Sequence, residues 1–190
     1  MISRGNRRKA VLDKARSVVK RKAAAKTTER EKFFEVLRKF NTAVLTTLNP
    51  SGQLHARPMA IAEVEPGGAI IFFTDSRSLK VDELEQNPEV NVSCQNGWKD
   101  TVVVRGKAEI FRDTDKARRL WRKTYQTWFP EGPDDPNLLM IRVAGEHGEY
   151  WDNSGVQGVK YMLKAVKAIA TRSRPEPDSV EEHGTVTLRR

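Results

Sequence analysis

The sequence has little of what marks secreted, membrane-spanning or disulfide-bonded proteins. Its 190 residues contain one cysteine, Cys94, so no disulfide can form within the chain, and a reducing compartment is the natural expectation. No apolar run approaches the ~20 residues that a membrane-spanning helix needs. The basic N-terminus also lacks the apolar segment of a secretory signal. We therefore expect a cytoplasmic protein without a membrane span.

Sequence patterns for metal, covalent or nucleotide-loop chemistry are also missing. The three histidines, His55, His147 and His183, lie far apart, and none has the Cys/His spacing of a zinc site. No Walker or dinucleotide glycine pattern occurs, and Ser154-Gly155 is not a nucleophile turn. We predict no metal site and assign no catalytic residue. A covalent or metal mechanism therefore has no support in these patterns.

The formal net charge of +9 belongs to the N-terminal segment alone. Residues 1–32 hold twelve basic and three acidic side chains, whereas the rest of the chain holds 22 of each sign. Residues 1–28 are therefore predicted as a basic helical arm with one modest apolar stripe. The arm could bind nucleic acid, anionic lipid or an acidic partner, or it could be a solvated helix along the body. No aromatic residue lies within it to stack on bases, which favours the second interpretation.

The body, residues 29–172, shows short strand patterns separated by turns and a few helices. A first helix is predicted over 29–40, a short one after Ser78, an amphipathic one over 113–129 and a last one around 159–169. Strands are predicted at 42–48, 53–64, 69–74, 90–95 and 101–111, with a bent last strand covering 138–143 and 149–151. Short turns between consecutive strands make them antiparallel. Six such strands predict a mainly β fold with inserted helices, a six-stranded antiparallel β-barrel, because closure removes exposed sheet edges. The Pro- and Glu-rich residues 173–190 are expected to form a loose tail.

Lys80 stands in the first turn of the short helix, where the helix dipole favours anions rather than cations. Ser78 is predicted as the N-cap, with its side chain accepting a bond from an N–H of the first turn. The remaining N–H groups and the Lys80 charge would together make an anion site, suited to a phosphate. The alternative is an exposed lysine paired with Glu83 or Glu85.

The strand pattern around Pro58 has one face made of small side chains, which lets a flat group approach closely. The residues on that face are Leu54, Ala56, Pro58, Ala60 and Ala62. Pro58 has no N–H for a ladder, so this stretch is predicted to lie at a sheet edge or a bulge. Arg57 points to the opposite face. Exposed backbone here could hydrogen-bond a heterocycle, or the arginine could be a surface residue beside an ordinary bulge.

Several motifs, in order along the chain, resemble those of a known family. They are Thr46-Thr47-Leu48, Gly52, Arg57-Pro58-Met59, Phe72-Phe73-Thr74-Asp75, Ser78-Leu79-Lys80, Glu83-Leu84, Asn87-Pro88, Val90, Val103-Val104-Arg105-Gly106-Lys107-Ala108 and Tyr150-Trp151-Asp152. Together they are similar to the FMN-binding split barrel, in the general stress protein branch of the pyridoxamine 5′-phosphate oxidase-like family. The resemblance covers roughly residues 30 to 170.

The resemblance implies a homodimeric split barrel with FMN, or alternatively FAD or a deazaflavin, in the groove between subunits. The implied cofactor-binding residues are Arg57, Pro58, Met59, Phe73, Thr74, Ser76, Ser78, Leu79, Lys80 and Trp151. The segment 57–59 would contact the isoalloxazine ring system, and Thr74, Ser78 and Lys80 would hold the ribityl chain and phosphate. Trp151 would reach the flavin from the partner subunit, or would simply be an aromatic residue capping the barrel.

The chain departs from true pyridoxamine phosphate oxidases where those enzymes bind their substrate. It has residues 153–158, Asn-Ser-Gly-Val-Gln-Gly, in place of an Arg-Leu-His-Asp-Arg segment, and it lacks the Arg-Leu-x-Pro ending. Thr101 stands where the oxidases often carry a flavin-contacting Gln. We therefore expect a flavin-binding protein of the general stress type and not a pyridoxamine phosphate oxidase. Two alternatives are a flavin-dependent oxidoreductase of unknown substrate, and a nucleic-acid-binding protein whose barrel is a dimerisation scaffold for basic arms.

Overall fold

Seven antiparallel strands form one sheet, and six of them close into a barrel. The computed structural model describes residues 28–97, 99–152 and 183–188. The strands are β1 (Thr42–Leu48), β2 (Leu54–Val64), β3 (Ile70–Asp75), β4 (Glu89–Asn96), β5 (Asp100–Phe111), β6 (Leu138–Asp152) and β7 (His183–Thr187). The sheet order is β3-β2-β1-β4-β5-β6-β7, and an additional pairing of β3 with β6 closes the barrel. The predicted six-stranded antiparallel barrel is confirmed.

Within the described residues, three α-helices accompany these strands. They are α1 (Glu29–Leu37), α2 (Leu79–Gln86) and α3 (Thr114–Leu120), and two 3₁₀ helices follow α3 at Lys123–Thr127 and Gly132–Asp134. A capping box between Thr28 and Glu31 starts α1, because each side chain pairs with the other residue's backbone N–H. The apolar face of α1 then buries Phe33, Val36 and Leu37 completely in the core.

Alternation along β3 divides the apolar residues between two cores. Ile70 and Phe72 pack inside the barrel with α1 and with inward-facing residues of the other strands. Their neighbours Ile71 and Phe73 point the other way and pack outside the barrel against residues that follow β5. β3 is therefore covered on both faces, which explains why its sequence is an unbroken apolar run.

β2 has an open edge along its first half. Residues 54–60 pair with β1, whereas pairing with β3 begins only at Ile61. The Ile61 N–H donates to the Asn41 carbonyl, and this sets the alternation along the strand. Pro58 therefore directs its missing N–H, and its carbonyl, away from β1. The predicted edge position of Pro58 is confirmed.

β6 is one continuous strand of fifteen residues with a bulge in its middle. Arg105 pairs with His147 and Gly106 with Gly145, so Glu146 is the extra residue. The first half of β6 pairs with β3, and the second half pairs with β7. The expected bend near Gly145 is thus a bulge within an unbroken strand.

Two expectations differ from the structure. The single helix predicted over 113–129 is divided, because Trp121 takes an extended conformation that ends α3 and brings its ring against Phe73, Tyr125 and Phe129. Residues 183–187 form β7 instead of belonging to a loose tail, since Val186 is buried in the core and the strand pairs with β6. Of the predicted basic arm, residues 1–28, only Thr28 is described, as the N-cap of α1. Residues 1–27 and the predicted last helix around 159–169 lie outside the described residues.

Candidate functional site

A cavity of about 440 Å³ lies where the open edge of β2, the end of β3, the start of α2 and the segment after α3 meet. This volume falls in the usual range for small-molecule sites. The lining residues are Arg57, Pro58, Met59, Ala60, Phe73, Thr74, Asp75, Ser78, Lys80, Tyr125, Trp128 and Phe129. Cationic and hydroxyl groups lie at one end, which we call the cationic pole (Arg57, Thr74, Ser78 and Lys80). Aromatic side chains supply another wall.

Lys80 is the central cation of this pole. Its ammonium group donates to the Ser78 hydroxyl (2.5 Å) and to the Thr74 hydroxyl (3.3 Å). Among the ion pairs of the described residues, none includes Lys80, so the expected alternative of a partner at Glu83 or Glu85 is wrong. Burial and the nearby Arg57 charge lower the pKa of Lys80, while Asp75 and Glu83 act in the opposite direction. A half-buried cation held by two neutral hydroxyls is suited to binding an anion.

Ser78 does not act as the predicted side-chain cap. It is the N-cap residue by backbone position, but its hydroxyl makes no bond to the N–H groups of the first turn. The hydroxyl instead accepts from Lys80. The start of α2 therefore has no side-chain cap. The Val81 N–H donates to the Ser78 carbonyl (2.8 Å), and the N–H groups of Leu79 and Lys80 are left for an anion.

Arg57, the second cation of the pole, is held by a buried carboxylate. Glu83 on α2 is only 3% exposed. It accepts from Arg57 Nη2 (2.8 Å), from the Thr47 hydroxyl (2.5 Å) and from His55 Nδ1 (2.5 Å). Burial raises its pKa, but these hydrogen bonds outweigh burial and lower the pKa of Glu83 to about 2. Arg57 also donates to Thr47, so its guanidinium is fixed at two points.

Asp75 adds a negative charge to the cavity lining. Its carboxylate accepts from the side chain of Arg77 (2.7 and 3.0 Å) and from the Arg77 backbone N–H (2.8 Å). Hydrogen bonds from the Arg77 side chain and then from its backbone lower the pKa of Asp75 to about 2. Asp75 is therefore ionised at neutral pH and close enough to Lys80 to act on its charge.

The aromatic wall is formed by Phe73, Tyr125, Phe129 and the largely exposed Trp128. The rings of Phe73 and Tyr125 meet edge to face with centroids 5.0 Å apart. Tyr125 is 4% exposed, and its hydroxyl is the one buried side-chain polar atom of the described residues that lacks a hydrogen-bond partner. A buried unpaired hydroxyl costs free energy, so a ligand polar group near it would stabilise the site.

Most of the residues predicted from sequence meet at this cavity. Seven of the ten line it: Arg57, Pro58, Met59, Phe73, Thr74, Ser78 and Lys80. Ser76 instead bonds to Asn137, and Leu79 is 73% exposed. Trp151 lies on β6, where its ring stacks on His183 at 4.7 Å. Sequence reasoning did not find Glu83, Tyr125 or Trp128 as members of the site, because only the fold brings them to Arg57 and Phe73.

The described residues show neither a metal site nor a reactive thiol. No group of three or more His, Cys, Asp or Glu side chains among them could hold a metal ion. Cys94 is buried in the barrel, and burial raises the pKa of its thiol to about 12. Within the same residues, no helix is long and apolar enough to cross a membrane.

Comparisons with known proteins give a matching sequence family and similar folds. The family model described as "Pyridoxamine 5′-phosphate oxidase like" matches residues 28–176. The general stress FMN/FAD binding protein of Xanthomonas citri has a similar structure, with a TM-score of 0.57, 29% identity, and 68% of this chain and 90% of that chain covered. General stress protein 26 of Bacillus anthracis gives a TM-score of 0.58 and 26% identity over 63% of this chain and 91% of that chain.

A curated relative also matches in sequence. Protein bli-3 of Neurospora crassa is 34% identical over 103 residues. The match covers 49% of this chain and 49% of bli-3, so it spans about half the length of that relative.

Proposed function

Because the chain belongs to the pyridoxamine 5′-phosphate oxidase-like family, we propose that its cavity binds a flavin, with FMN as the preferred form. Support comes from the cavity and from the similarity to a structure described as a general stress FMN/FAD binding protein. The proposal depends most on one observation. Lys80 is a half-buried cation on two hydroxyl groups, at one end of a cavity with aromatic side chains on another wall.

The flavin phosphate would bind at the cationic pole. Lys80 and Arg57 supply positive charge there, and the uncapped start of α2 supplies backbone N–H groups. Thr74 and Ser78 supply hydroxyls within reach of the ribityl chain. Charge-assisted hydrogen bonds of this kind are about twice as strong as neutral ones, so the phosphate would contribute much of the affinity.

The ring system would lie along the open edge of β2. Its polar edge needs hydrogen-bond partners. The backbone groups that β2 directs away from β1 around Pro58 have no strand partner among the described residues. Met59 and the small Ala60 leave room for a flat group beside that edge. The unpaired Tyr125 hydroxyl gives the cavity a further polar contact. These residues fit a flavin.

We further propose that two copies of the chain form a dimer with the flavin between them. Trp151 lines no part of the cavity of its own chain. It would therefore have to reach the flavin of a second copy to serve as a contact. Leu54 and Val44, on neighbouring strands β2 and β1, are 72% and 41% exposed. They provide apolar surface that a second copy could cover.

A bound flavin would supply the capacity to accept and donate electrons, and the chain would supply binding, orientation and exclusion of water. We propose at most a weak oxidoreductase activity on an unknown substrate, and not pyridoxamine phosphate oxidation, because the substrate-binding segments of the oxidases are missing. A cytoplasmic location remains part of this proposal. For the nucleic-acid alternative we find no support in the described residues, which exclude the basic arm.

Mass spectrometry of the ligand released from purified protein tests the proposal. We expect FMN, with flavin absorbance in the intact protein, and tighter binding of FMN than of riboflavin when the stripped protein is titrated. If the released ligand is FAD or a deazaflavin, the proposed cofactor changes, but the protein is still a flavin-binding protein. Failure of the stripped protein to bind any flavin would overturn the proposed function.

A further inference from the structure

Two carboxylates, those of Glu83 and Asp75, lie beside the cationic pole. Of the three cations at or beside it, Arg57 is paired with Glu83, and Arg77 is paired with Asp75. Only Lys80 has no carboxylate partner among the described ion pairs. Since an FMN phosphate carries up to two negative charges, the pole is built with less net positive charge than its ligand would use.

Glu83 is poorly explained as a simple surface partner of Arg57. Its side chain is 4% exposed, and removing a carboxylate from water costs several kcal/mol unless donors surround it. Three donors from two different strands do so: Thr47 on β1, and His55 and Arg57 on β2. The arrangement stabilises an ion there without a ligand, and it occupies part of the guanidinium that a phosphate would otherwise use.

Asp75 repeats the arrangement at the end of β3. It lines the cavity and forms a two-point ion pair with Arg77, whose own side chain is 74% exposed. Thr74, which precedes it, accepts from Lys80. The Asp75 carboxylate therefore lies next in sequence to Thr74, which contacts Lys80. Its negative charge would repel a phosphate that approaches Lys80.

We propose that Glu83 and Asp75 are internal counter-charges that reduce the affinity of the cavity for the flavin phosphate, so that the flavin is an exchangeable ligand. This inference depends on the proposed flavin binding and adds its regulation. The two carboxylates keep the empty cavity stable by neutralising Arg57 and Arg77. They also leave the bound phosphate with one uncompensated cation, which makes release faster than a fully cationic site would allow.

Replacing a carboxylate by its amide separates charge from shape. Glu83→Gln keeps an oxygen that can accept from Arg57 and Thr47, while its amide group can donate to the other tautomer of His55. The negative charge alone is lost. Removing one unit charge close to a bound phosphate, in a partly buried site, is expected to change affinity by roughly tenfold.

The experiment measures FMN and riboflavin binding, and the FMN dissociation rate, for the full chain stripped of ligand. For Glu83→Gln we expect about tenfold tighter FMN binding, mainly through slower dissociation, with riboflavin unchanged within about twofold. Asp75→Asn, on the more exposed end of β3, should tighten FMN by about threefold. Glu85→Gln is the matched control, because Glu85 is exposed on the same helix and its loss should change neither ligand.

The outcomes separate this inference from the proposed function. Wild-type protein that binds no flavin would overturn the proposed function itself. Wild-type binding combined with weaker or equal FMN binding in both variants would overturn only the counter-charge role. A parallel loss of FMN and riboflavin would do the same, since it indicates structural residues. If Glu83→Gln does not fold, Asp75→Asn decides the question by the same criteria.

Discussion

At the scale of single residues, Lys80 occupies a position that a cation normally avoids, the positive end of a helix. Its ammonium group is nevertheless placed with two hydroxyls and beside a second cation, Arg57. Burial and the Arg57 charge disfavour the charged form of Lys80 and lower its pKa when no anion is bound. The charged form becomes favourable when an anion binds, and this makes Lys80 the most informative residue to change.

Lys80→Ala should weaken FMN binding by roughly 10- to 150-fold, because a charge-assisted contact is worth about 1.5–3 kcal/mol. Riboflavin has no phosphate, so its binding should barely change. Stability without ligand should hold or rise slightly, since a half-buried cation leaves the positive end of α2. Titration of the stripped protein with both ligands provides the measurement. Lys107→Ala, at an exposed lysine on β5, is the control. Equal and small changes for FMN and riboflavin would place Lys80 outside the site.

Glu83 should make the protein sensitive to acid. Its pKa is about 2 in the folded chain against the ordinary 4.5. The unfolded chain therefore binds the proton more readily, and the stability that ionised Glu83 contributes is lost as the pH falls through the range from 4.5 to 2. A shift of this size corresponds to about 3 kcal/mol.

Urea denaturation across that pH range checks this expectation. The free energy of unfolding should fall less steeply with decreasing pH in Glu83→Gln than in the wild type. The difference in slope should correspond to at most one fewer proton taken up on unfolding. Glu85→Gln, on the exposed face of α2, should retain the wild-type slope. Identical slopes for the wild type and Glu83→Gln would show that Glu83 is not held in its ionised form by its three donors.

Residue types and local spacing predicted an anion site at Lys80 and the start of α2, and the family resemblance added Thr74 and Ser78 as its partners. All three residues lie in a single strand–turn–helix segment, so local sequence brings them together. Residue types and spacing were not enough to predict Glu83 or Tyr125. Glu83 is 26 residues from Arg57 and 36 from Thr47 along the chain, and it contacts both only after the barrel closes. A glutamate on a helix surface looks like any solvated residue until its neighbours are known.

At the scale of strands and helices, the bulge between β5 and β6 depends on close backbone approach. A Cβ atom added to Gly106 would lie against the Ala144 carbonyl oxygen, and within 2.9 Å of both the Ala144 carbonyl carbon and the Gly145 Cα. These are backbone atoms, which cannot rotate away as a side chain can. The bulge therefore tolerates no side chain at this position.

Gly106→Ala should lower the free energy of unfolding by about 2–3 kcal/mol, at the upper end of the range for overpacking. Gly67→Ala is the matched control, because a Cβ atom there would meet nothing within 4 Å. Thermal or urea unfolding of both variants gives the comparison. If Gly106→Ala and Gly67→Ala lower the free energy of unfolding equally, the strands must separate at the bulge more easily than their register indicates.

Strand positions were predicted closely wherever a turn residue marks each end, as Pro50–Gly52 and Pro66–Gly68 do for β2. The predictions failed where tertiary contacts decide. The helical pattern over 113–129 is genuine in its spacing, but Trp121 leaves the helix to pack against Phe73. For β7, a segment of alternating small and β-branched residues was hidden by the polar composition around it, and only its pairing with β6 makes it a strand.

At the scale of the whole molecule, we expect a dimer in solution. Residues 33–190 carry no net charge, so this part of the chain adds no net-charge repulsion between copies. Leu54 and Val44 are exposed on neighbouring strands. Light scattering coupled to gel filtration should give about twice the chain mass of 21.6 kDa. Leu54→Lys should shift the mass toward that of one chain, whereas Lys107→Ala should not. A wild-type mass of one chain at every concentration would contradict the dimer.

One edge of β6 is covered by two different strands, β3 and β7, and this has a consequence for aggregation. β5 pairs with one edge of β6 along nearly its whole length. On the other edge, β3 covers only the first half, and among the described residues β7 alone covers the backbone from His147 to Trp151. If a protease removed the residues from His183 onward, five residues of strand backbone would be left as a template for pairing with other chains. We expect such nicked protein to aggregate at concentrations where the intact chain stays dispersed. β7 would then protect the chain from aggregation in addition to contributing to the core.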